Sequence, residues 1–176
     1  MPQRQLIHLG YSVMLARIAV LIGLLMLLSG CMSSSRQVPA NWQLTLNSAP
    51  GANDGAPIKV RVLVLRSDAN SQSADFYSLQ NNASTVLGGD VLDTQQRFLT
   101  TQQPQQVING NPSLDAHYLG VIAEYANING KTWRVIVPLP SPTETNFYKF
   151  WQFSPDALHG RVTATSAGLH LTANDD

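Results

Sequence analysis

Eight residues, IKVRVLVL from Ile58 to Leu65, leave the backbone little choice. Ile58, Val60, Val62 and Val64 repeat at every second position, and β-branched residues at that period fill one face of a strand rather than a stripe on a helix. Lys59 and Arg61 hold the alternate positions and are expected to face out. At Leu63 and Leu65 the alternate face also turns apolar, so this half of the strand is expected to be buried on both sides. The same alternation recurs along the chain. In WQLTLN, Trp42, Leu44 and Leu46 point one way; in HYLGVIAEY, Leu119, Val121, Ala123 and Tyr125 point inward, with His117 and Glu124 assigned to the other side. TWRVIVPL continues the pattern, and residues 161–165 and 169–172 add two short strands joined through Ser166, Ala167 and Gly168. Asn129-Gly130, between Tyr125 and Trp133, supplies hairpin turn chemistry and predicts an antiparallel pair there. The expected fold is mostly β, an antiparallel β-sandwich.

One stretch breaks the rhythm. Residues 73–93 (SADFYSLQNNASTVLGGDVLD) suit a helical insertion after the second of these strands: Ser73 could cap, Asp75 fits a first turn, and Phe76 with Leu79 has i, i+3 spacing. A second turn is expected over 86–92, interrupted by Gly88 and Gly89. The two strands before the insertion are separated by a longer connection, Ser48, Ala49, Pro50, Gly51, Ala52, Asn53, Asp54, Gly55, Ala56 and Pro57. It contains the turn residues Asn53-Asp54-Gly55 but is too long for a tight hairpin, and long ordered loops often carry function.

The chain holds a single cysteine, Cys31, and its setting decides the compartment. The apolar run before it is shorter than the roughly 20 residues that a bilayer span needs, and Arg17 interrupts it upstream. Basic residues (Arg4, Arg17), a short apolar core and small residues before a cut site make up a secretory signal peptide. Leu28-Ser29-Gly30-Cys31 matches the bacterial lipobox. An inert cysteine on a membrane helix and a catalytic thiol are the competing readings, but flexible serines rather than a base flank Cys31. Lipidation fits better, and several acyl chains on one residue anchor essentially permanently. The expected organisation is a removed signal peptide at 1–30, a flexible lipidated tether at 31–40, a β-sandwich domain at 41–172 and a tail at 173–176. Met32 rather than aspartate follows the cysteine, which favours the outer membrane over the inner. The remaining chain has nine Lys and Arg against eleven Asp and Glu, a balance without the basic footprint of a nucleic-acid binder. With the cysteine occupied, the domain must hold together by burial alone.

His117, His159 and His170 lack metal-ligand spacing, Asp90 and Asp93 read as a solvated face, and neither a GxSxG elbow nor a phosphate loop is present. No cofactor, metal or small-molecule substrate is expected. FYKFWQF, residues 147–153, places five of the chain's thirteen aromatics in seven residues, more than one strand face can bury. They serve either as a covering flap or, through Phe147, Tyr148, Phe150 and Trp151, as a docking patch.

The lipobox, IKVRVLVLRS, ADFYSL, LGGDVL and HYLGVIAEY with Trp133-Arg134 occur in the order and spacing of one family. The chain resembles the outer-membrane lipoprotein of type VI secretion systems, the TssJ (SciN, VasD-like) family, with Asp75, Phe76, Leu79, Leu87, Asp90, Leu92, Tyr118, Gly120, Val121 and Ala123 at its motif positions. The resemblance implies a transthyretin-like sandwich with helical additions and no enzymatic role. It implies binding to the periplasmic C-terminal region of the inner-membrane protein TssM, and through it an indirect link to TssL. It places that contact on the loop from Ser48 to Pro57, where Asp54 is the single acid. Two other classes stay open: an unrelated periplasmic lipoprotein holding a small ligand in a deep apolar pocket of its sandwich, and an enzyme using Glu124 or His117 in a cleft.

Overall fold

In a computed structural model the chain divides into residues Met1–Ser34 and Ser35–Asp176. The structure describes residues 36–110, 113–145 and 157–173 of the second unit and Arg17 of the first. The second unit contains β1 (Arg36–Val38), β2 (Asn41–Ser48), β3 (Ile58–Leu65), α1 (Ala69–Ser73), α2 (Phe76–Leu87), a 3-10 turn (Gly88–Asp90), β4 (Val91–Leu99), β5 (Gln105–Gly110), β6 (Tyr118–Glu124), β7 (Arg134–Pro138), β8 (Thr143–Thr145), β9 (Ala157–Thr165) and β10 (Gly168–Ala173).

Two four-stranded sheets, β10-β9-β2-β5 and β4-β3-β6-β7, form the sandwich, and β1 pairs with β8 separately. Residues 36–40, expected to be part of a flexible tether, are instead ordered by this pairing and by burial of Ala40. The two sheets contain one parallel contact, β2 with β9; their other pairs are antiparallel. The parallel pair is possible because the whole second sheet lies between its strands in sequence, a connection far longer than a hairpin.

The inner faces are those the alternation selects. Trp42, Leu44 and Leu46 of β2 and Val162 and Ala164 of β9 belong to one buried cluster with Ile58, Val60, Val62 and Val64 of β3 and Leu119, Val121 and Ala123 of β6. Leu63, Leu65 and Ile122 bury the other face of the second sheet against Leu79 and Leu87 of α2. Helix α2 thus explains the apolar turn of IKVRVLVL. Its start is fixed by Asp75 rather than by Ser73, which ends α1: Asp75 Oδ1 accepts from Ser78 N–H at 2.9 Å. Hydrogen bonds from the Ser78 hydroxyl and amide hold the Asp75 carboxyl below its ordinary pKa. At the other end Gly88 takes φ 52°, and the expected second turn is the 3-10 turn at 88–90, with β4 already beginning at Val91.

Arg61 departs from expectation. It points away from the sandwich core but is only 8% exposed, because α2 covers it. Asn82 (φ −149°, ψ 44°) breaks α2, and such a break leaves carbonyls of the preceding turn short of partners. Arg61 Nη2 donates to the Leu79 carbonyl at 2.8 Å. Its Nε lies 3.2 Å from Glu124 Oε1, within ion-pair distance though without hydrogen-bond alignment, and Lys59 Nζ and Gln80 Nε2 reach the same carboxylate at 2.9 and 3.0 Å. Removing one member of a mostly buried pair strands the other. Arg61→Ala is therefore expected to lower stability by about 3 kcal/mol, read by urea unfolding, whereas Arg61→Met with Glu124→Leu should recover most of that loss. If the double variant is as unstable as the single one, the network is not what holds α2 down.

Strands β4 and β5 were not evident in the sequence. Each is the edge of its sheet, with Phe98 and Val107 about half exposed. Glutamines cover the open carbonyls: Gln106 Nε2 donates to Phe98 O at 2.9 Å and Gln95 Nε2 to Asn109 O at 3.2 Å. Such edges need little apolar alternation, so VLDTQQRFL and QQVING give a weak signal.

Candidate partner-docking surface

Strand β2 carries the chain from Asn41 to Ser48, eight residues, or about 25 Å of extended backbone. The β2–β3 loop, residues 49–57, therefore lies at the end of the sandwich opposite Asn41, where the chain enters β2. Four connections meet at this loop end. Ser48 N–H donates to Pro104 O and Ala49 N–H to Ala164 O, both at 2.8 Å, while Thr132 N–H donates to Ala167 O at 3.1 Å and Leu169 N–H to Thr132 O at 2.6 Å.

Within the loop, three successive turns close through Ala52 N–H to Ala49 O, Asp54 N–H to Gly51 O and Ala56 N–H to Asn53 O. Gly51, Asp54 and Gly55 take φ of 72°, 52° and 83°, so the glycines are needed where they stand. The loop is not uniformly available. Pro50, Gly51, Asp54, Gly55, Ala56 and Pro57 are exposed; Ser48 and Ala49 are half-buried; Ala52 and Asn53 are buried.

Asn53 is the pivot. Its Nδ2 donates to Pro57 O at 3.1 Å and to Ala56 O at 3.4 Å, and its Oδ1 accepts from Ala126 N–H at 2.9 Å, tying the loop to the β6–β7 connection. Lys131 makes a second tie, Nζ donating to Ala52 O at 3.4 Å while lying 4.7 Å from the Tyr125 ring centre. Burial pushes the Tyr125 hydroxyl up to about 12; the Thr165 backbone opposes that shift, although no hydrogen bond of standard geometry forms. In the sequence, Asn53 was legible only as part of a turn-forming N-D-G, and the ties to Ala126 and Lys131 were not legible at all.

The expected antiparallel pair at Asn129-Gly130 is β6 with β7. The turn is not the expected tight kind: it sits within a nine-residue connection, with Lys131 N–H bonded to Ile128 O and positive φ only at Gly130 (70°). That pattern fits a type II turn.

Other candidate groups lie apart. His117, His159 and His170 are exposed, and Glu124 is engaged by Lys59, Arg61 and Gln80. Asp90 accepts from Asn70 Nδ2, and Asp93 bonds the adjacent Thr94 amide. A cleft of about 470 Å³ lined by Asn41, Trp42, Gln43, Asn109, Gly110, Ala157 and His159 opens at the start of β2, and is half polar rather than a deep apolar chamber between the sheets. Among the described residues no three His, Cys, Asp or Glu side chains cluster as metal ligands. Cys31 and the aromatic residues Phe147, Tyr148, Phe150 and Trp151 lie outside the described residues.

Two four-stranded sheets with helical cover on one face and an ordered set of loops at one end make this a β-sandwich domain. The model of the type VI secretion lipoprotein family (VasD, EvfM, TssJ) matches residues 40–159, and the chain belongs to that family. Among solved structures it is similar to Serratia marcescens Lip, described as a membrane-bound component of the type VI secretion system, with 48% identity and a TM-score of 0.69 over 79% of this chain and 100% of that one. It is also similar to the lipoprotein TssJ1 from Pseudomonas aeruginosa (23% identity, TM-score 0.66, 78% of this chain and 98% of that one). A chain in a structure described as the TssM C-terminal domain (869–1107) from EAEC shares the fold at 21% identity and a TM-score of 0.54, covering 74% of this chain and 99% of that one. Comparison with curated proteins gives no match.

The family motifs now have physical roles. Asp75 caps α2. Phe76 meets Trp133 edge-on at 5.3 Å, and Arg134 lies 4.6 Å from the Trp133 ring centre while donating to the Ser71, Gln72 and Ala74 carbonyls that end α1. Gly120 leaves room for Leu65, whose Cδ1 would lie 3.2 Å from any added Cβ.

Proposed function

We propose that this chain is the outer-membrane-anchored lipoprotein of a type VI secretion membrane complex. In this reading its acylated Cys31 lies on the periplasmic face, and its β2–β3 loop holds the periplasmic C-terminal region of a TssM-like inner-membrane protein. It thereby links the two membranes, with a TssL-like protein reached indirectly and no reaction catalysed. The supporting observation is placement: an ordered, exposed loop at the end of β2 remote from the tether. Family membership and the fold shared with a chain found in a TssM-domain structure agree with it.

Excising the whole loop is a poor test, because Ala52 packs in the sandwich core and Asn53 bonds Ala126. Ala56→Arg is better, since Ala56 is exposed and no positive φ constrains it. A bulky charge within a packed interface should weaken capture of the TssM-like domain about tenfold or more, with thermal unfolding unchanged. Full-strength binding by Ala56→Arg in titration calorimetry would remove the loop from the interface.

A further inference from the structure

We infer that the docking face is a two-loop surface, in which the β6–β7 turn at 127–130 stands beside the β2–β3 loop as a second contact element and Asn53 is the residue that positions one against the other. This rests on the loop reading above and goes beyond it by adding the second element, the positioning residue and the kind of surface that fits.

Three observations carry it. Asn53 is 6% exposed in a loop otherwise rich in Gly, Ala and Pro, and its amide is used on both sides: Nδ2 closes the loop onto Pro57 O, and Oδ1 receives the Ala126 amide from the other connection. A buried side chain satisfied in this way sets one geometry, since either loop moving alone would strand a polar group. Lys131 repeats the link to Ala52 O from the far side of the turn. The turn itself is braced from within: Asn129 N–H donates to Asn127 Oδ1 at 2.9 Å and Lys131 N–H to Ile128 O at 3.1 Å. Asn127, Asn129 and Gly130 are nonetheless exposed, as are Asp54, Gly55 and Ala56 across the link.

The charge pattern defines the partner surface. Segments 48–57, 100–104, 125–132 and 165–168 together contain two charged residues, Asp54 and Lys131, and the Lys131 ammonium is engaged with Ala52 O and the Tyr125 ring. The complementary surface is therefore largely uncharged, with room for a single basic group opposite the exposed Asp54, and is recognised mainly by shape and backbone hydrogen bonding. Preformed loops also bind without a large ordering cost.

The experiment uses the full lipidated chain in detergent and the purified periplasmic C-terminal region of the TssM-like protein of the same system. Dissociation constants are measured alongside amide hydrogen exchange of the loop. Asn129→Arg, which alters the exposed turn and leaves Asn53 untouched, is expected to weaken binding about tenfold with loop exchange unchanged. Asn53→Ala is expected to speed exchange at the Ala56 and Ala126 amides and to weaken binding by a similar factor; Asn53→Gln is not expected to restore it, because the longer amide cannot meet both loops. From about 0.05 to about 0.5 M salt the wild-type affinity should change by less than about threefold.

The outcomes separate cleanly. If Asn129→Arg binds normally while Ala56→Arg does not, the two-loop face is wrong and the single-loop reading stands. If both bind normally, the loop reading itself is lost. Faster exchange in Asn53→Ala with unchanged affinity removes the positioning role, and a steep fall in affinity with salt overturns the largely uncharged partner surface.

Discussion

Gly168→Ala is expected to unfold the domain about 10 °C below wild type, a large effect for one methyl group. Gly168 opens β10 after the two-residue turn at Ser166 and Ala167, and its φ of 119° lies where L-residues are strained. An added Cβ would also stand 2.3 Å from the backbone nitrogen and 2.5 Å from the carbonyl oxygen of Thr132. Backbone cannot swing aside as a side chain can, so the β9–β10 hairpin must lift from the β6–β7 connection. That motion breaks the bonds from Thr132 N–H to Ala167 O and from Leu169 N–H to Thr132 O. Backbone strain of about 1–3 kcal/mol and two lost hydrogen bonds of about 1 kcal/mol each give roughly 3–5 kcal/mol, at about 2–4 °C per kcal/mol for a domain of this size. Gly130→Ala separates strain from overlap: its φ is 70° and nothing lies within 4 Å of an added Cβ, so it should cost only about 1–2 kcal/mol. The two glycines are compared by thermal circular dichroism. Equal melting temperatures would mean that the hairpin does not rest on Thr132.

The same contact shows how far the sequence could be read. Strand faces were legible wherever both sheets bury them, because a period of two in β-branched residues has one efficient packing solution. Leu63 and Leu65 even announced a second covered face, although not what covered it. Arg61 was misjudged because alternation reports the side of the sheet on which a residue lies, not whether a helix lies there too. Edge strands β4 and β5 escaped notice for the converse reason: with one neighbour each and half-exposed Phe98 and Val107, they keep no clean alternation. The helix start shifted from Ser73 to Asp75 because capping residues recur at short intervals in the stretch SQSAD, and only the geometry selects among them.

At the candidate site, length singled out the β2–β3 loop, and its N-D-G was readable as turn chemistry within it. What could not be read was that Asn53 faces inward and is shared with Ala126, 73 positions away. Long-range side chain-to-backbone bonds leave no periodic trace. The loop end as a surface exists only after the sheets have formed: its four connections come from four separate parts of the chain and are joined by hydrogen bonds between them.

Under the lipoprotein function proposed above, replacing Cys31 by serine should have the other large effect, and it acts on location rather than stability. Serine keeps the size and polarity of the position but removes the sulfur on which a thioether is built. Cys31 is the chain's only cysteine, so no other residue could take the lipid in its place. Incorporation of labelled palmitate is expected to fall to background, and the protein should move from the membrane fraction to the soluble periplasmic extract or remain as an uncleaved precursor. With each buried methylene contributing about 0.8 kcal/mol, losing the acyl chains removes essentially all membrane affinity. The β-sandwich, which begins at Asn41 and contains no cysteine, should melt unchanged. Partner capture by the detached domain should also survive, because the loop lies at the far end of β2 from Asn41, and under the proposed function secretion should nevertheless stop because the link to the membrane is gone. Cys31→Ser protein that still labels with palmitate, or wild-type protein that carries a free thiol, would end the lipid-anchor reading. Loss of partner binding by the detached domain would instead show that the tether end takes part in docking, and the separation of anchor and docking surface along β2 would have to be abandoned.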